Sequence, residues 1–146
     1  MSRPPQNKEN AMWTHEASIE THAQPATLWN LFADVPGWKR WNAGIERILL
    51  LGDFTSGTRF VMQPPGQDAF TSKLLDVVEN RHFVDETVID DTRVIVSHEL
   101  IPLAWGGTKV VYRTEIDGPQ AAEFGPHVTG DFIDVLTALK DLAERG

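Results

Sequence analysis

Hydrophobic and polar residues alternate along the first well-patterned stretch of the chain. From Trp13 to His22 the sequence reads WTHEASIETH, and every second residue belongs to the set Trp13, His15, Ala17, Ile19 and Thr21. Successive side chains of a β-strand point to opposite faces of the sheet, so a period of two residues is typical of a strand. The pattern predicts a first strand with one mostly apolar face and one polar face.

Six further segments have the composition of strands. They are rich in Val, Ile, Phe, Thr and Tyr, and short turn-forming stretches separate them: GIERILLLG, TRFVMQ, AFTSKLLDVV, RHFVDETVI, TRVIVSHELI and TKVVYRTEI. Most of the connections have hairpin length, whereas parallel strands need a crossover of about a dozen residues. The sequence therefore predicts a seven-stranded antiparallel sheet.

Helical spacing occurs in two places. Between the first two strands, the segment PATLWNLFAD begins at Pro25 and has apolar residues at helical intervals. Pro36-Gly37 ends this helix before a second short helix or turn, GWKRWN. Beyond Gly118-Pro119 the apolar residues again recur at helical spacing: Val128, Phe132, Val135, Leu136, Leu139 and Leu142. This second pattern predicts one long amphipathic helix, with a start or a kink at Gly125-Pro126.

The order of these elements predicts an α+β fold with an internal cavity. A strongly twisted seven-stranded sheet must cover its apolar face, and the C-terminal helix is the only predicted element long enough to do so. A single helix about 10 Å across cannot fill the concave side of so wide a sheet. We therefore expect unfilled volume between sheet and helix, of the size usual for ligand pockets, about 300 to 1,000 Å³.

Composition and charge restrict the classes of function. The chain has 146 residues, enough for one domain, and its net charge of −8 without any Lys/Arg cluster argues against a nucleic-acid partner. The absence of cysteine excludes disulfides and thiolate metal sites and suits a cytoplasmic protein. No apolar run has the length of a membrane span. The polar, proline-containing residues 1–11 predict a disordered tail, which leaves residues 12–146 as the folded domain.

Several motifs follow the predicted element order. They are AxIxTHxxPAxLW (residues 17–29), DVPxWxxWN (34–42), GTRF (57–60), GGTKVxY (106–112) and DGP (117–119). Together they resemble the polyketide cyclase/dehydrase branch of the START-like (SRPBCC) superfamily over residues 12–145. The resemblance implies the helix-grip fold, in which a hydrophobic tunnel under the long helix binds a small apolar ligand. Some relatives are aromatase/cyclases of polyketide synthesis, others are toxin-like proteins or lipid carriers.

Tryptophans concentrate around the break between the two short helices. Trp29, Trp38 and Trp41 lie within fourteen residues of one another. Large aromatic side chains at helical spacing are usually part of a core, so we interpret all three first as packing residues. The alternative interpretation is that Trp38 or Trp41 contacts a ligand in the cavity.

The polar candidates for the cavity come from the alternation within strands. His15 shares the apolar face of the first strand, and His98 alternates with valine and leucine in VIVSHEL. Tyr112, the only tyrosine, alternates with Val110 and Thr114, so an inward-facing hydroxyl would need a partner. His98 as general base and Tyr112 as donor would suffice for a cyclase. A lone histidine on an apolar face is more often a hydrogen-bonded core residue.

Three other positions complete the set of candidates. A glycine inside a helix is unfavourable relative to alanine, so Gly130 predicts a place where a side chain does not fit. One interpretation is close packing or a later helix start. The other is that Gly130, with Thr129 and Ile133, lets a ligand pass beneath the helix. Asp85 is predicted to be exposed, because an unpaired buried carboxylate is costly.

These observations favour a protein that binds a small hydrophobic ligand without a cofactor. The five histidines show no metal-binding spacing, and no nucleophile elbow, Walker loop or dinucleotide-binding motif is present. The first alternative is an enzyme of polyketide cyclase type that uses His98 and Tyr112. The second alternative is a module that binds a protein partner. We expect a monomer or a homodimer, since such a sheet has an exposed edge strand.

Overall fold

Seven antiparallel strands form a single sheet in the computed structural model, which describes residues 12–145. The predicted disordered tail, residues 1–11, lies outside this range. The strands are β1 (Met12–Thr21), β2 (Arg47–Leu50), β3 (Arg59–Gln63), β4 (Phe70–Val78), β5 (His82–Ile89), β6 (Thr92–Pro102) and β7 (Thr108–Asp117). Their order across the sheet is β1-β7-β6-β5-β4-β3-β2. The predicted seven-stranded antiparallel sheet is confirmed.

The register of the central strands brings three ring-bearing residues into one row. Phe83 on β5 pairs with His98 on β6, and His98 pairs with Tyr112 on β7. Along β6 the alternate residues Val94, Val96, His98 and Leu100 are all buried. The period of two in the sequence therefore does mark the inner face of this strand.

Helices cover the concave side of the sheet at two places. Helix α1 (Pro25–Ala33) and the 3₁₀ helix (Val35–Arg40) lie between β1 and β2, and Pro25 and Pro36 stand in their first turns. Helices α2 (Ala121–Thr129) and α3 (Phe132–Arg145) follow β7. Proline is favourable in a first turn because its fixed φ suits the helix and its missing N–H would lack a partner there. Within residues 12–145 no helix combines the length and hydropathy of a membrane span.

The C-terminal helix, for which the sequence predicts a start or a kink at Gly125-Pro126, is interrupted a few residues later. Its turns occupy residues 121–129 and 132–145, and the interruption falls at Gly130 and Asp131. A Cβ atom at Gly130 would lie 2.7 Å from the carbonyl oxygen of Pro126. Pro126 inside α2 has no N–H for the helical hydrogen bond, so the helix is less stable in this region. The kink therefore follows Gly125-Pro126 by one turn.

The two halves of this helix are held in different ways. Helix α3 buries Val135, Leu136, Leu139 and Ala143 in the main core. Helix α2 belongs to a second, smaller cluster, in which Phe124 and Val128 pack near Val94, Val96 and Ile116. Trp13 from β1 packs against this cluster. The tertiary contacts that hold α2 thus come mainly from the end of the sheet formed by β1, β6 and β7.

Gly125 provides a test of how α2 is held. A Cβ atom at this position would lie 2.5 Å from Trp13 Cδ2. Alanine normally stabilises a helix by about 1 kcal/mol relative to glycine. Because of the contact with Trp13, we expect Gly125→Ala instead to lower the free energy of unfolding by about 1–3 kcal/mol, as overpacking does. Urea denaturation measures the change.

The matched control combines this change with a smaller residue at position 13. Trp13→Leu removes the indole that the new methyl group would meet, so the double variant should lose less stability than the sum of the two single changes. If Gly125→Ala stabilised the protein on its own, the close packing of α2 on Trp13 would be contradicted.

Candidate functional site

A cavity of about 660 Å³ lies between the concave face of the sheet, the 3₁₀ helix and the two C-terminal helices. Most of its wall is apolar. The exposed residues of the wall are Pro65, Gln67, Ile89, His127 and Asp131. They belong to the β3–β4 connection, the end of β5 and the region of α2, so the cavity opens there. The cavity lies where the predicted element order left unfilled volume.

Trp38 and Trp41 form part of the cavity wall and are also buried in the core. The indole N–H of Trp38 donates to the carbonyl oxygen of Phe32 at 2.8 Å, and its ring stacks on Phe83 with centroids 5.5 Å apart. Trp29 packs against Phe32 away from the cavity wall. The two interpretations of Trp38 and Trp41 are therefore compatible, because the residues that hold the corner together also line the cavity.

His98 lies on the cavity wall, and two contacts with Phe83 fix the orientation of its ring. It stacks on Phe83, with centroids 3.9 Å apart, and its Nδ1 lies 3.1 Å from the carbonyl oxygen of Phe83. A carbonyl only accepts, so Nδ1 carries the proton and Nε2 has a free lone pair. Burial lowers the pKa of His98 to about 3, against a smaller opposing effect of the hydrogen bond to Phe83. His98 is therefore neutral at physiological pH.

Asp85 is the main correction to the site predicted from the sequence. The prediction placed it in solvent, but it lies on the cavity wall with a side chain only 15% exposed. Its Oδ2 is 3.9 Å from His98 Nε2, and burial raises its pKa to about 7. Since the imidazole is neutral, the two groups do not form an ion pair. A protonated carboxyl group avoids the cost that made a buried carboxylate implausible.

Tyr112 completes this polar group. Its ring is 4.6 Å from that of His98 and 5.4 Å from that of Phe132, so the two residues proposed for a cyclase do meet. Its hydroxyl oxygen is buried and has no hydrogen-bond partner among residues 12–145. Burial, and secondarily the nearby Asp85, raises the pKa of the phenol above its usual value. Tyr112 is therefore a neutral potential donor with no partner among the described residues.

Two further polar residues on the wall were missed in the sequence. Ser72 and Thr87 hydrogen-bond to each other, with their hydroxyl oxygens 2.6 Å apart. Phe83, Asp85 and Thr87 occupy every second position of β5, so their side chains share one face of the strand. This periodicity would have placed Asp85 and Thr87 on the inner face with Phe83. Only the expected cost of a buried carboxylate argued against that placement.

Four of the predicted site residues lie off the cavity wall. Ile133 is 59% exposed and does not line the cavity. Gly130 is exposed at the helix interruption, and Thr129 is buried but donates its hydroxyl proton to Gly125 O at 3.1 Å. His15 packs between Trp13 and Phe132 beside the cavity. The cavity instead meets the adjoining helical stripe of Val128, Asp131, Phe132 and Val135, because these residues face the sheet.

The charges on the wall are few. Its titratable side chains, within residues 12–145, are Asp85, His98, Tyr112, His127 and Asp131, and neither lysine nor arginine contributes. Nor do three histidine, aspartate or glutamate side chains of the described range converge in a way that could hold a metal ion. The arrangement can bind an apolar molecule and exchange hydrogen bonds with it through Asp85, His98 and Tyr112.

The sequence matches the family described as polyketide cyclase / dehydrase and lipid transport over residues 12–144. The chain belongs to this family. This membership confirms the resemblance seen in the sequence motifs and supports, in general terms, a role in hydrophobic ligand binding or cyclisation. No curated protein sequence matches the chain.

Several solved structures have the same fold as this chain at low sequence identity. Norcoclaurine synthase from Thalictrum flavum, in complex with dopamine and hydroxybenzaldehyde, is 14% identical with a TM-score of 0.72, covering 99% of this chain and 95% of its own. The Zhui aromatase/cyclase from a Streptomyces species is 16% identical with a TM-score of 0.78, covering 92% and 94%. A di-domain aromatase/cyclase of steffimycin biosynthesis is 12% identical with a TM-score of 0.79, covering 96% of this chain and 53% of its own. These likenesses confirm the helix-grip fold.

Proposed function

We propose that the chain binds a small, mainly apolar molecule in the cavity between the sheet and the C-terminal helices. The cavity carries this proposal, because protein interiors normally pack densely and leave few voids larger than a water molecule. Its volume of about 660 Å³ lies in the usual range of small-molecule sites. An apolar ligand would remove the wall from water, which is the main driving force for binding in such sites.

The side chains of the wall favour a ligand with an aromatic part. Trp38, Phe83 and Tyr112 present ring faces or edges to the interior, and aromatic rings attract one another in stacked or edge-to-face geometry. The complex of norcoclaurine synthase with dopamine and hydroxybenzaldehyde supports this proposal, since it shows small aromatic molecules bound to a protein of the same fold. A ligand that lies inside should not be an anion there, because no lysine or arginine on the described wall could neutralise it.

Acid–base catalysis of the cyclase or dehydrase type is the second candidate function. Asp85 and His98 favour it, because a general acid or base works best with a pKa near the operating pH. The structure changes the assignment made from the sequence: burial raises the pKa of Asp85 to about 7, whereas it lowers the pKa of His98 to about 3 and makes His98 a weak base. Asp85 would then exchange the proton, with Tyr112 as a donor to a developing oxyanion.

Filling the cavity tests the binding proposal. Val96 lies on the wall, and its neighbour Ile95 points to the opposite face of β6. We expect Val96→Phe to weaken binding of the neutral fluorophore N-phenyl-1-naphthylamine about ten-fold or more, because the new ring occupies ligand volume. Ile95→Phe is the matched control and should leave the affinity unchanged. Equal effects of the two substitutions in a fluorescence titration would contradict the proposal.

Native mass spectrometry then distinguishes the candidate functions for the natural ligand. Wild-type protein and the Ile95→Phe variant purified from their own host should carry a small apolar molecule, and the Val96→Phe variant should not. A protein isolated empty that turns over a poly-ketone substrate would favour the enzyme. The partner-binding module, the oligomeric state and the cytoplasmic location stay predictions.

A further inference from the structure

The protein leaves an unfilled hydrogen-bonding position between His98 and Asp85. Because Nδ1 of His98 donates to the carbonyl oxygen of Phe83, its Nε2 atom is an acceptor, and no residue from 12 to 145 donates to it. The nearest Asp85 oxygen is 3.9 Å away, which is too far for a direct hydrogen bond. Both side chains are partly exposed, 11% for His98 and 15% for Asp85, so the cavity reaches them.

The protons on these two residues define which group fits the gap. Burial keeps Asp85 protonated below about pH 7 and keeps His98 neutral, so a donor faces an acceptor. One oxygen atom can lie about 2.8 Å from both, since the two atoms are separated by less than twice that distance. To satisfy both Asp85 and His98, this oxygen must accept a hydrogen bond from the carboxyl group of Asp85 and donate one to Nε2 of His98. A hydroxyl group does both, whereas a carbonyl oxygen only accepts and a methyl group does neither.

We propose that the gap between His98 Nε2 and Asp85 Oδ2 is a subsite for the hydroxyl group of an uncharged aromatic or other ring-bearing ligand. The proposal rests on the binding function proposed above and names the ligand class: an apolar alcohol or phenol. A carboxylate fits less well, because it brings no proton for Nε2 and finds no lysine or arginine on the described wall. The half-buried ring of Phe132, whose centroid is 5.4 Å from that of Tyr112, also lines the cavity and would offer an aromatic contact to the ligand ring.

Two probes that differ in one group test this subsite. 2-Naphthol and 2-methylnaphthalene share the same ring and differ by a hydroxyl in place of a methyl group, and each can displace N-phenyl-1-naphthylamine at pH 6. In a purely apolar cavity 2-methylnaphthalene would bind more tightly, because a buried hydroxyl loses its water without replacement. With the subsite, we expect 2-naphthol to bind at least as tightly as 2-methylnaphthalene.

Substitutions at His98 separate the subsite from general packing. His98→Asn keeps a donor near the Nδ1 position for the Phe83 carbonyl but removes the Nε2 acceptor. We expect it to weaken 2-naphthol about ten-fold and 2-methylnaphthalene less than two-fold. His98→Gln, whose amide reaches the Nε2 position, should restore part of the 2-naphthol affinity. His82→Asn is the matched control, since His82 lies on the outer face of β5 and pairs with Asp76.

A second position keeps the test decisive if His98→Asn fails to fold. Asp85→Leu removes the donor on the other side of the gap at similar volume and should also reduce only the affinity for 2-naphthol. If wild-type protein binds 2-methylnaphthalene more tightly than 2-naphthol, or if the variants weaken both probes equally, the hydroxyl subsite is overturned and the proposed binding function stands. If neither probe binds the wild-type protein, both proposals fail.

Discussion

Replacing either member of the Asp85–His98 pair should give the protein a new pH dependence of stability, with opposite signs for the two variants. Burial raises the pKa of Asp85 from 3.8, its value in an unfolded chain, to about 7, and it lowers the pKa of His98 from 6.5 to about 3. Between about pH 4 and 6.5 the folded pair holds one proton on Asp85, and the unfolded pair holds one proton on His98. The folded and unfolded states bind the same number of protons, so in wild-type protein the pair does not make the free energy of unfolding depend on pH.

Removal of His98 exposes the contribution of Asp85. A carboxyl group with a raised pKa in the folded state binds more protons there than in the unfolded chain, so stability is lost as the pH rises from about 4 towards 7. We expect His98→Asn to lose about 2–4 kcal/mol relative to wild-type protein over this window, from the shift of Asp85 at about 1.4 kcal/mol per pH unit. Burial alone raises the pKa of Asp85, so the substitution should leave that shift in place.

Removal of Asp85 exposes the contribution of His98 with the opposite sign. A histidine with a lowered pKa binds fewer protons in the folded state, so stability is lost as the pH falls from 6.5 towards 3. Asp85→Asn should therefore become less stable at pH 4 than at pH 6.5 by a similar amount. Urea denaturation of both variants and of wild-type protein across pH 4 to 7 measures these differences.

The double variant serves as the control for this experiment. Asp85→Asn combined with His98→Asn has neither titrating group, so its difference from wild-type protein should be independent of pH in the same window. If both single variants kept the wild-type profile, the opposite protonation of the pair would be refuted. That result would also remove the donor and acceptor on which the hydroxyl subsite depends.

Trp38→Ala should cause the largest loss of stability from a single substitution at the cavity. Trp38 is 6% exposed, contacts the rings of Phe60 and Phe83, and satisfies the buried carbonyl of Phe32. Truncation of a buried tryptophan costs about 3–5 kcal/mol, and an unpaired buried carbonyl adds about 1–3 kcal/mol. We expect a total loss of about 4–8 kcal/mol, which is a large part of the stability of an ordinary domain.

Two substitutions divide this effect into its parts. Trp38→Phe keeps most of the packing but removes the hydrogen bond to Phe32, so its loss should be intermediate. Trp105→Ala removes an indole that is 54% exposed in the β6–β7 turn and should cost less than about 1 kcal/mol. Urea unfolding followed by circular dichroism suits all three variants. A loss for Trp38→Ala no greater than that for Trp105→Ala would show that Trp38 does not hold the corner together.

The sequence predicted the strands well because their pattern is local. Val94, Val96, His98 and Leu100 face inward as their alternation indicates, and the short turns excluded parallel connections. The helix break was harder to place, because Pro126 and Gly130 lie one turn apart and either could have caused it. Which residues of that helix meet the cavity depends on how its two halves pack on the sheet, and for this reason Ile133, a candidate from the sequence, is exposed instead of lining the cavity.

Asp85 illustrates the limit of reasoning about single residues. A buried carboxylate is costly in isolation, so the sequence favoured an exposed position. The folded protein reduces that cost by protonation, since the apolar surroundings of Asp85 raise its pKa to about 7. This environment is made by residues from several strands, and no local pattern contains it.

The sequence by itself determined the order of the elements along the chain and the antiparallel character of the sheet, because periodicity and turn chemistry within short stretches indicate both. Its motifs carried the resemblance to the family. The tertiary structure alone decided that Phe83, Asp85, His98 and Tyr112 form one polar and aromatic group on the cavity wall. The physical reason is that proton affinity depends on the dielectric surroundings and on distances of a few ångströms between strands. Both are fixed only when β5, β6 and β7 pair and the helices close over them.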